Sequence, residues 1–308
     1  MDKQTIILGS VILVISIISL GFSVSSYLGT NDGSTGITLV DSNQTMSSAD
    51  LEGIPIYMGT SNGFIITFEN DVTFYLSGDT CLFGDMKWVI GEYYHPDVAF
   101  LSAGNVFTMD PIDAAKATEW INPDYVIPYH YRIFPFLEQN MNEFASLVQE
   151  SKKNGNTNAT PLILESGQET DILGINVTWL GHGSFYMASP TGAKIIIDPW
   201  FTPNPDTPAS FKNMSSFGQI DLLLITHGHI DHFDEDNLEQ LIELYNPPIL
   251  SQWEVMIYLQ SRFPGQYLMM NKGGRITKTI LEQQELEVNY MPDDLQITMV
   301  QASHSSSY

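Results

Sequence analysis

The densest chemistry in this sequence lies at Thr226-His227-Gly228-His229-Ile230-Asp231-His232. Three imidazoles and a carboxylate fall between positions 227 and 232, and imidazole nitrogens with a carboxylate oxygen form a donor set for divalent transition metals. The segment follows the apolar run Leu222–Ile225, so it reads as the C-terminal end of a strand and the loop beyond it. Alternation along extended backbone puts His227 and His229 on one side, while Asp231 and His232 can turn towards a second ion. A polar surface loop is the plain alternative. Four potential ligands this close together are rare in a chain with 7 histidines.

Strands and helices must hold these groups. Strand-like runs lie at Ile54–Tyr57, Gly63–Phe68, Val72–Leu76, Val98–Leu101 and Tyr125–Pro128, with Glu69-Asn70-Asp71 as a hairpin turn. Asp110-Pro111 opens a helix to about Trp120, and a second helix is expected over Leu137–Ser151. A polar break covers residues 152–160. Beyond it, strands are expected at Pro161–Glu165, Ile175–Leu180, Ser184–Ala188, Lys194–Asp198, Asp221–Thr226, Glu285–Tyr290 and Gln296–Gln301, with a helix over Glu235–Tyr245. Similar alternation on both sides of the break suggests two similar α/β layers. Met-rich Tyr267–Met270 reads as core packing. Ile37-Thr38-Leu39-Val40 echoes Ile297-Thr298-Met299-Val300, and both are followed by polar, serine-containing sequence.

The 308 residues are 43% hydrophobic and 16% charged, enough for a sizeable core and too apolar for wholesale disorder. The net charge of −24 repels phosphate backbones and argues against nucleic acid as a partner. A single cysteine, Cys81, excludes an internal disulfide. No charge occurs from Gln4 to Asn31, and Ile6–Phe22 is almost wholly apolar. Residues 1–28 are therefore expected to be a membrane anchor, with a cleaved signal segment or a buried helix as alternatives. Residues 29–36 read as a flexible linker. The expected location is a membrane-anchored extracytoplasmic domain, or a secreted one after cleavage. Asn43, Asn158, Asn176 and Asn213 carry the Asn-Xaa-Ser/Thr pattern, which matters only for an exported domain.

The His-Xaa-His-Xaa-Asp-His segment resembles the signature of the metallo-β-lactamase superfamily. Val177–Phe185 (Val-Thr-Trp-Leu-Gly-His-Gly-Ser-Phe) and Ile195–Trp200 (Ile-Ile-Ile-Asp-Pro-Trp) look like the opening strands of its L-ascorbate 6-phosphate lactonase-like branch. Ile297–Ser307 looks like the middle of such a domain. Upstream, Gly63–Ile66, Tyr75–Thr80, Phe83–Met86, Phe107–Pro111 and Val126–Tyr131 resemble the branch's C-terminal half. The resemblance covers roughly residues 50–308, but the motif-bearing half comes second here rather than first. That is the order of a circular permutant, which needs old termini close in space. Residues 54–151 would then be the family's second half, 152–174 the connector and 175–308 the first half. Residues 29–53 would be a linker retaining a duplicated strand, with Gln44 where the later copy has His304.

The resemblance implies an α+β fold, a four-layer αββα sandwich, and a complete two-ion ligand set. His227, His229 and His304 would hold one ion. Asp231, His232 and His130 would hold the other, with Asp79 bridging. Zinc is the first expectation; manganese, iron or nickel suit the same donors. His182, in a Gly-His-Gly loop after a strand, is a catalytic candidate that would touch substrate or a metal's outer shell, or would serve only the loop. Asp198 would orient a ligand histidine or close a turn. Arg132 would neutralise an anionic substrate group or be a surface charge. Cys81 reads as a buried or loop thiol and His95 as a surface residue.

The implied reaction is hydrolysis of a lactone or other ester-like bond by a water that two metal ions share and acidify, with Asp231 orienting that water or passing on its proton. A small-molecule or lipid phosphodiester is the alternative substrate. A catalytically idle metal-binding module at a membrane surface, or a fragment of a tandem protein, are the alternatives of other classes. Expected partners are a small-molecule substrate and, through the N-terminal segment, a membrane. The oligomeric state stays open.

Overall fold

A computed structural model describes residues 56–307 of the chain. Fourteen strands, numbered in chain order, form two seven-stranded sheets. The first sheet contains β1 (Tyr57–Thr67), β2 (Thr73–Leu76), β3 (Val98–Ser102), β4 (Tyr125–Tyr129), β5 (Thr160–Pro161), β13 (Arg275–Ile276) and β14 (Gln296–Ser307), in the order β13-β14-β1-β2-β3-β4-β5. The second contains β6 (Glu169–Ile172), β7 (Ile175–Trp179), β8 (Phe185–Ala188), β9 (Lys194–Ile197), β10 (Leu222–Leu224), β11 (Pro248–Gln252) and β12 (Gln266–Met270), in the order β12-β11-β10-β9-β8-β7-β6. Each sheet joins antiparallel strands to a parallel run: β14-β1-β2 then β2-β3-β4-β5, and β6-β7-β8-β9 then β9-β10-β11-β12. This is a mixed α/β fold with two similar sheets.

Side-chain alternation explains the layers. Ile195 and Ile197 on β9, with Leu222 and Leu224 on β10, enter the core shared with the first sheet. Between them Ile196 and Leu223 point the other way, into a second core with Leu238 and Leu241 of α3 (Glu235–Tyr245) and Val255 and Leu259 of α4 (Trp253–Gln260). The Phe100 ring lies 5.2 Å from Phe185 across the sheets. That contact leaves no room for a helix between them, so α1 (Pro111–Ile121), which lies against β3, covers the outer face. It packs beside α2 (Met141–Lys153). One helix layer thus covers each sheet.

Local chemistry sets the boundaries. The Asp110 carboxylate accepts from the amides of Ile112 (2.9 Å) and Asp113 (2.7 Å), and Pro111 occupies the first turn where a donor is not needed. The hairpin turn at Glu69–Asp71 is present, closed by the Phe68 amide on the Val72 carbonyl at 2.9 Å. Residues 63–67 belong to one long β1 that starts at Tyr57, with register shifts between Tyr57 and Asn62.

Other expectations are corrected. The helix expected from Leu137 starts at Met141, because Pro135–Leu137 form a separate 3-10 turn and the Asn140 side chain caps the helix at the Asn142 amide, 3.1 Å. It runs on to Lys153, into the expected polar break. Of the strand expected over Pro161–Glu165, only Pro161 falls in β5 (Thr160–Pro161), and the contact with β4 ends at the Leu162 amide on the Val126 carbonyl, 2.9 Å. Glu285–Tyr290 forms no strand: Glu285 has φ +57° beyond α5 (Lys278–Gln283), which breaks extended pairing. Tyr267–Met270 lie in β12, half-buried rather than wholly core. Sequence periodicity missed β6, β11, β13, α4, α5 and a π-helix at Met86–Tyr94.

Among the described residues no helix is long and apolar enough to cross a membrane. The apolar segment 4–28, the Ile37–Val40 echo and Gln44 lie outside the described residues.

Candidate metal centre

The chemistry-bearing side chains meet at one end of both sheets. β2 and β4 run parallel through β3, so Asp79 and His130, just beyond their C-termini, emerge together. β9 and β10 run parallel, so Asp198 and the 227–232 segment do the same. His182 follows β7, and His304 sits on β14. Three of these residues leave their strands in the left-handed region: His130 (φ +64°), His182 (φ +52°) and Asp198 (φ +48°). Each such non-glycine residue costs about 1–3 kcal/mol and persists only where its surroundings enforce it. Enforcement is visible at His130. Its amide donates to the His182 carbonyl at 3.3 Å, and Gly104 packs so close to its backbone that a Cβ there would collide with the His130 carbonyl oxygen.

Asp79 is the hub. One of its carboxylate oxygens, Oδ2, lies 2.9 Å from His130 Nε2, 3.3 Å from His232 Nε2, 3.9 Å from His227 Nε2 and 4.0 Å from His304 Nε2. Around it the donor atoms fall into three sets, each with all members within 4.8 Å: His227, His229 and His304; His130, His182, Asp231 and His232; and Asp79, His227 and His232. The structure therefore brings together residues from position 79 to position 304. His182 also stands in the cluster, with Nε2 3.0 Å from Asp231 Oδ2 and its ring 3.7 Å from that of His130.

A metal fits these donors. Asp79 Oδ1, both ring nitrogens of His130, His182 Nδ1 and His232 Nε2 are buried without an aligned hydrogen-bond partner. The 2.9 Å approach of His130 to Asp79 is close but not aligned as a hydrogen bond. Buried polar atoms are ordinarily paired, and convergent unpaired imidazole nitrogens around a carboxylate suit a divalent transition metal.

Electrostatics in the cluster bear on this. Burial holds His227, His229 and His304 below the usual histidine range, with neighbouring His232 adding to the effect. Burial and the adjacent His130 bring His182 down to about 4. Neutral imidazoles are the form that binds metals. Burial opposes charge on His232 too, yet Asp79 and Asp198 on its two sides hold its pKa well above the ordinary value. Burial likewise opposes ionisation of Asp79, but His130 and His232 hold it well below the carboxylate range. Asp231 is also lowered, against its burial, by the His182 hydrogen bond and by His232.

Positioning contacts surround the cluster. Asp198 accepts from the Thr226 amide (2.7 Å), the Thr226 hydroxyl (2.7 Å) and His232 Nδ1 (2.8 Å). This aims His232 Nε2 at Asp79. Sequence reasoning missed Thr226 and Ser306; the only signal was their adjacency to motif residues. The Gly228 amide donates to Ser306 Oγ at 2.8 Å, and Ser306 Oγ donates to the Met58 carbonyl at 2.8 Å.

Arg132 pairs with Asp206: its Nε donates to Asp206 Oδ2 at 2.7 Å, and its guanidinium lies 5.0 Å from the Trp179 ring centroid. Cys81 is exposed in the loop beyond Asp79, and His95 is exposed at the end of the π-helix.

Two similar sheets carry a histidine and aspartate cluster at their shared end, and part of the chain is similar in sequence to known proteins. Residues 176–307 match the family model described as beta-lactamase superfamily domain. A UPF0173 metal-dependent hydrolase of Methanobrevibacter smithii is 40% identical over 131 residues, 42% of this chain and 53% of the relative. One from Methanosphaera stadtmanae is 43% identical over 114 residues, 37% of this chain and 48% of the relative. The chain thus spans about half the length of the curated relatives it matches. A metallo-beta-lactamase fold protein of Bacillus subtilis aligns over 70% of this chain and 96% of its own, with 11% identity and a TM-score of 0.43.

Proposed function

We propose that the chain is a metal-dependent hydrolase that holds two divalent transition-metal ions, zinc first, and cleaves a lactone or other ester-like bond. The observation that carries this reading is the convergence of His130, His227, His232 and His304 around one carboxylate oxygen of Asp79, with His229 grouped beside His227 and His304. The relatives' description as metal-dependent hydrolases supports it. His227, His229 and His304 would hold one ion, and His130, Asp231 and His232 the other, with Asp79 between them. Two ions in such a centre acidify a shared water and polarise the bond to be cut.

The chain's own residues supply the rest. Asp231 is ionised and held at Oδ2 by His182, 3.0 Å away, leaving its other oxygen to orient water or carry a proton. Asp198 fixes the His232 tautomer through Nδ1. His182, neutral at ordinary pH, steadies Asp231 through its Nε2, 3.0 Å from Asp231 Oδ2. Burial of His130, His227 and His232 keeps bulk water away from the donors.

The same reading takes the domain to be a four-layer αββα sandwich with its halves in permuted order, tethered through residues 4–28. The first sheet, assembled from both ends of the described chain, supports this. Full-length protein loaded with zinc is expected to contain two ions per chain and to hydrolyse one class in a panel of lactones, esters, phosphodiesters and β-lactams. Failure to bind zinc, or binding unaffected by His227→Ala with His229→Ala, would overturn the assignment. Full loading without turnover of any member would favour the idle module instead.

A further inference from the structure

We propose that the metal-centre end of the domain is a docking surface for a neutral phospholipid bilayer. Six large apolar side chains at this end, Tyr57, Trp88, Val106, Ile112, Ile230 and Trp253, are each 59–69% exposed. Topology puts them together. Tyr57 opens β1, which runs antiparallel to β2, and Trp253 follows β11, which runs parallel to β10. These two share the lining of one cleft with Thr60 and Lys272. Ile230 belongs to the loop beyond β10. Val106 lies in the loop beyond β3, which is tied to the Asp79 loop by the Met109 amide on the Thr80 carbonyl at 3.0 Å. Ile112 and Trp88 are in the first turns of α1 and the π-helix, which start at this end. The similarly exposed Tyr93 and Leu244 stand at the last turns of their helices, towards the opposite end.

Large exposed apolar groups gathered on one face mark an interaction surface, and tryptophan and tyrosine suit the bilayer interface. The occupant follows from the rest of the chain. The described residues begin at Ile56, next to Tyr57, so the polypeptide that precedes them joins the domain at this same end. That polypeptide carries the charge-free run from Gln4 to Asn31, of membrane-spanning length. Only residues 32–55 separate that run from Ile56 in the sequence. The net charge of −24 opposes an anionic headgroup layer and favours a neutral one. Docking would present the metal centre to molecules dissolved in the bilayer. Docking itself needs no bound metal.

The only cysteine provides the probe. Cys81 is exposed at the metal-centre end. Full-length protein is labelled there with an environment-sensitive fluorophore and incorporated into phosphatidylcholine vesicles that carry a headgroup quencher, with chelator present. The comparison protein carries Cys81→Ser and Leu173→Cys, which moves the label to the β6–β7 turn at the opposite end. The expected result is a blue shift and at least two-fold quenching at position 81 and neither at 173. Val106→Ser with Trp253→Ser should reverse both signals while the protein stays on the vesicles. Equal quenching at the two positions, or none at 81, overturns the proposal. So does a blue shift at 81 without vesicles that grows with protein concentration, which would mean that copies of the chain cover this face.

Discussion

Replacing Asp198 by asparagine should disable the centre without touching any proposed ligand. Asp198 is buried, and its two oxygens accept three hydrogen bonds. Oδ1 takes the Thr226 amide, which can only donate, so an asparagine oxygen must stay there. The new amide nitrogen then replaces Oδ2, 2.8 Å from His232 Nδ1. Two N–H groups cannot share that contact, so Nδ1 must give up its proton and Nε2 must take one. Nε2 is the atom that faces Asp79 at 3.3 Å. The wrong tautomer therefore points a proton where an ion is expected. Disturbing a partner of this kind costs about 10–100-fold in metal affinity. Loss of a hydrogen bond to a charged buried group adds about 1.5–3 kcal/mol of destabilisation. Competition dialysis against a zinc chelator measures the affinity, and urea unfolding of the metal-free protein measures the stability. Asparagine tolerates the φ of +48° found there, so backbone strain should not confuse the comparison. A folded D198N protein with zinc affinity within two-fold of the parent would refute the tautomer argument.

Two further outcomes test the scaffold. The Glu69 carboxylate accepts from Ser189 Oγ (2.7 Å), the Thr191 amide (2.7 Å) and Thr191 Oγ1 (2.6 Å), tying the β1–β2 hairpin to the β8–β9 turn. Burial opposes its ionisation, but these bonds outweigh burial and depress its pKa, so its stabilisation is complete above the unfolded carboxylate range and fades as pH falls through the folded value. Glu69→Gln should cost about 1 kcal/mol at pH 7, discounted for partial exposure, with the gap narrowing towards acid in urea titrations; a gap that widens would contradict this. Gly228→Ala should destabilise by about 1–3 kcal/mol, because its Cβ would run into the Met58 side chain. A double-mutant cycle with Met58→Ala should show at least 0.5 kcal/mol of relief, and strict additivity would mean the backbone yields instead.

Much of this was legible before any coordinates. α3 falls at Glu235–Tyr245 as its apolar spacing and the acidic residues of its first turn indicate, and Asp110-Pro111 marks the start of α1. Both signals are local, carried by capping chemistry and a helical period within one segment. Asp79, His130, His227, His232 and His304, which the structure brings together, stand at positions that the family resemblance singles out in the sequence. Illegible features depend on distant partners. Nothing near Arg132 announces Asp206, 74 residues away, and nothing near Ser306 announces its bond to Gly228. Pairing decides the short strands β5 and β13, which have too few residues for a period. Glu285–Tyr290 alternates as a strand would, but Glu285 turns at φ +57° and the Glu287 backbone bonds to the Gln266 side chain rather than to a strand backbone.

The two sheets also bear on why halves in either order could build one centre. The described chain passes from the first sheet to the second after β5 and returns between β12 and β13, at opposite edges of the pair. Between these crossings each sheet is made mainly from one continuous stretch. What ties the ends is the pairing of β1 with β14, which extends from Tyr57 opposite Ser307 to Thr67 opposite Gln296. Those strands are neighbours in space although they stand at opposite ends of the described sequence. A chain that joined them through a loop and opened instead near residues 152–168, between β5 and β6, would keep every strand neighbour. Each donor to the centre sits on or just beyond a strand, so its place depends on strand neighbours rather than on chain order. Under the permutation reading, the stability of the centre should therefore rest on the β1–β14 ladder, which replaces a covalent connection with hydrogen bonds.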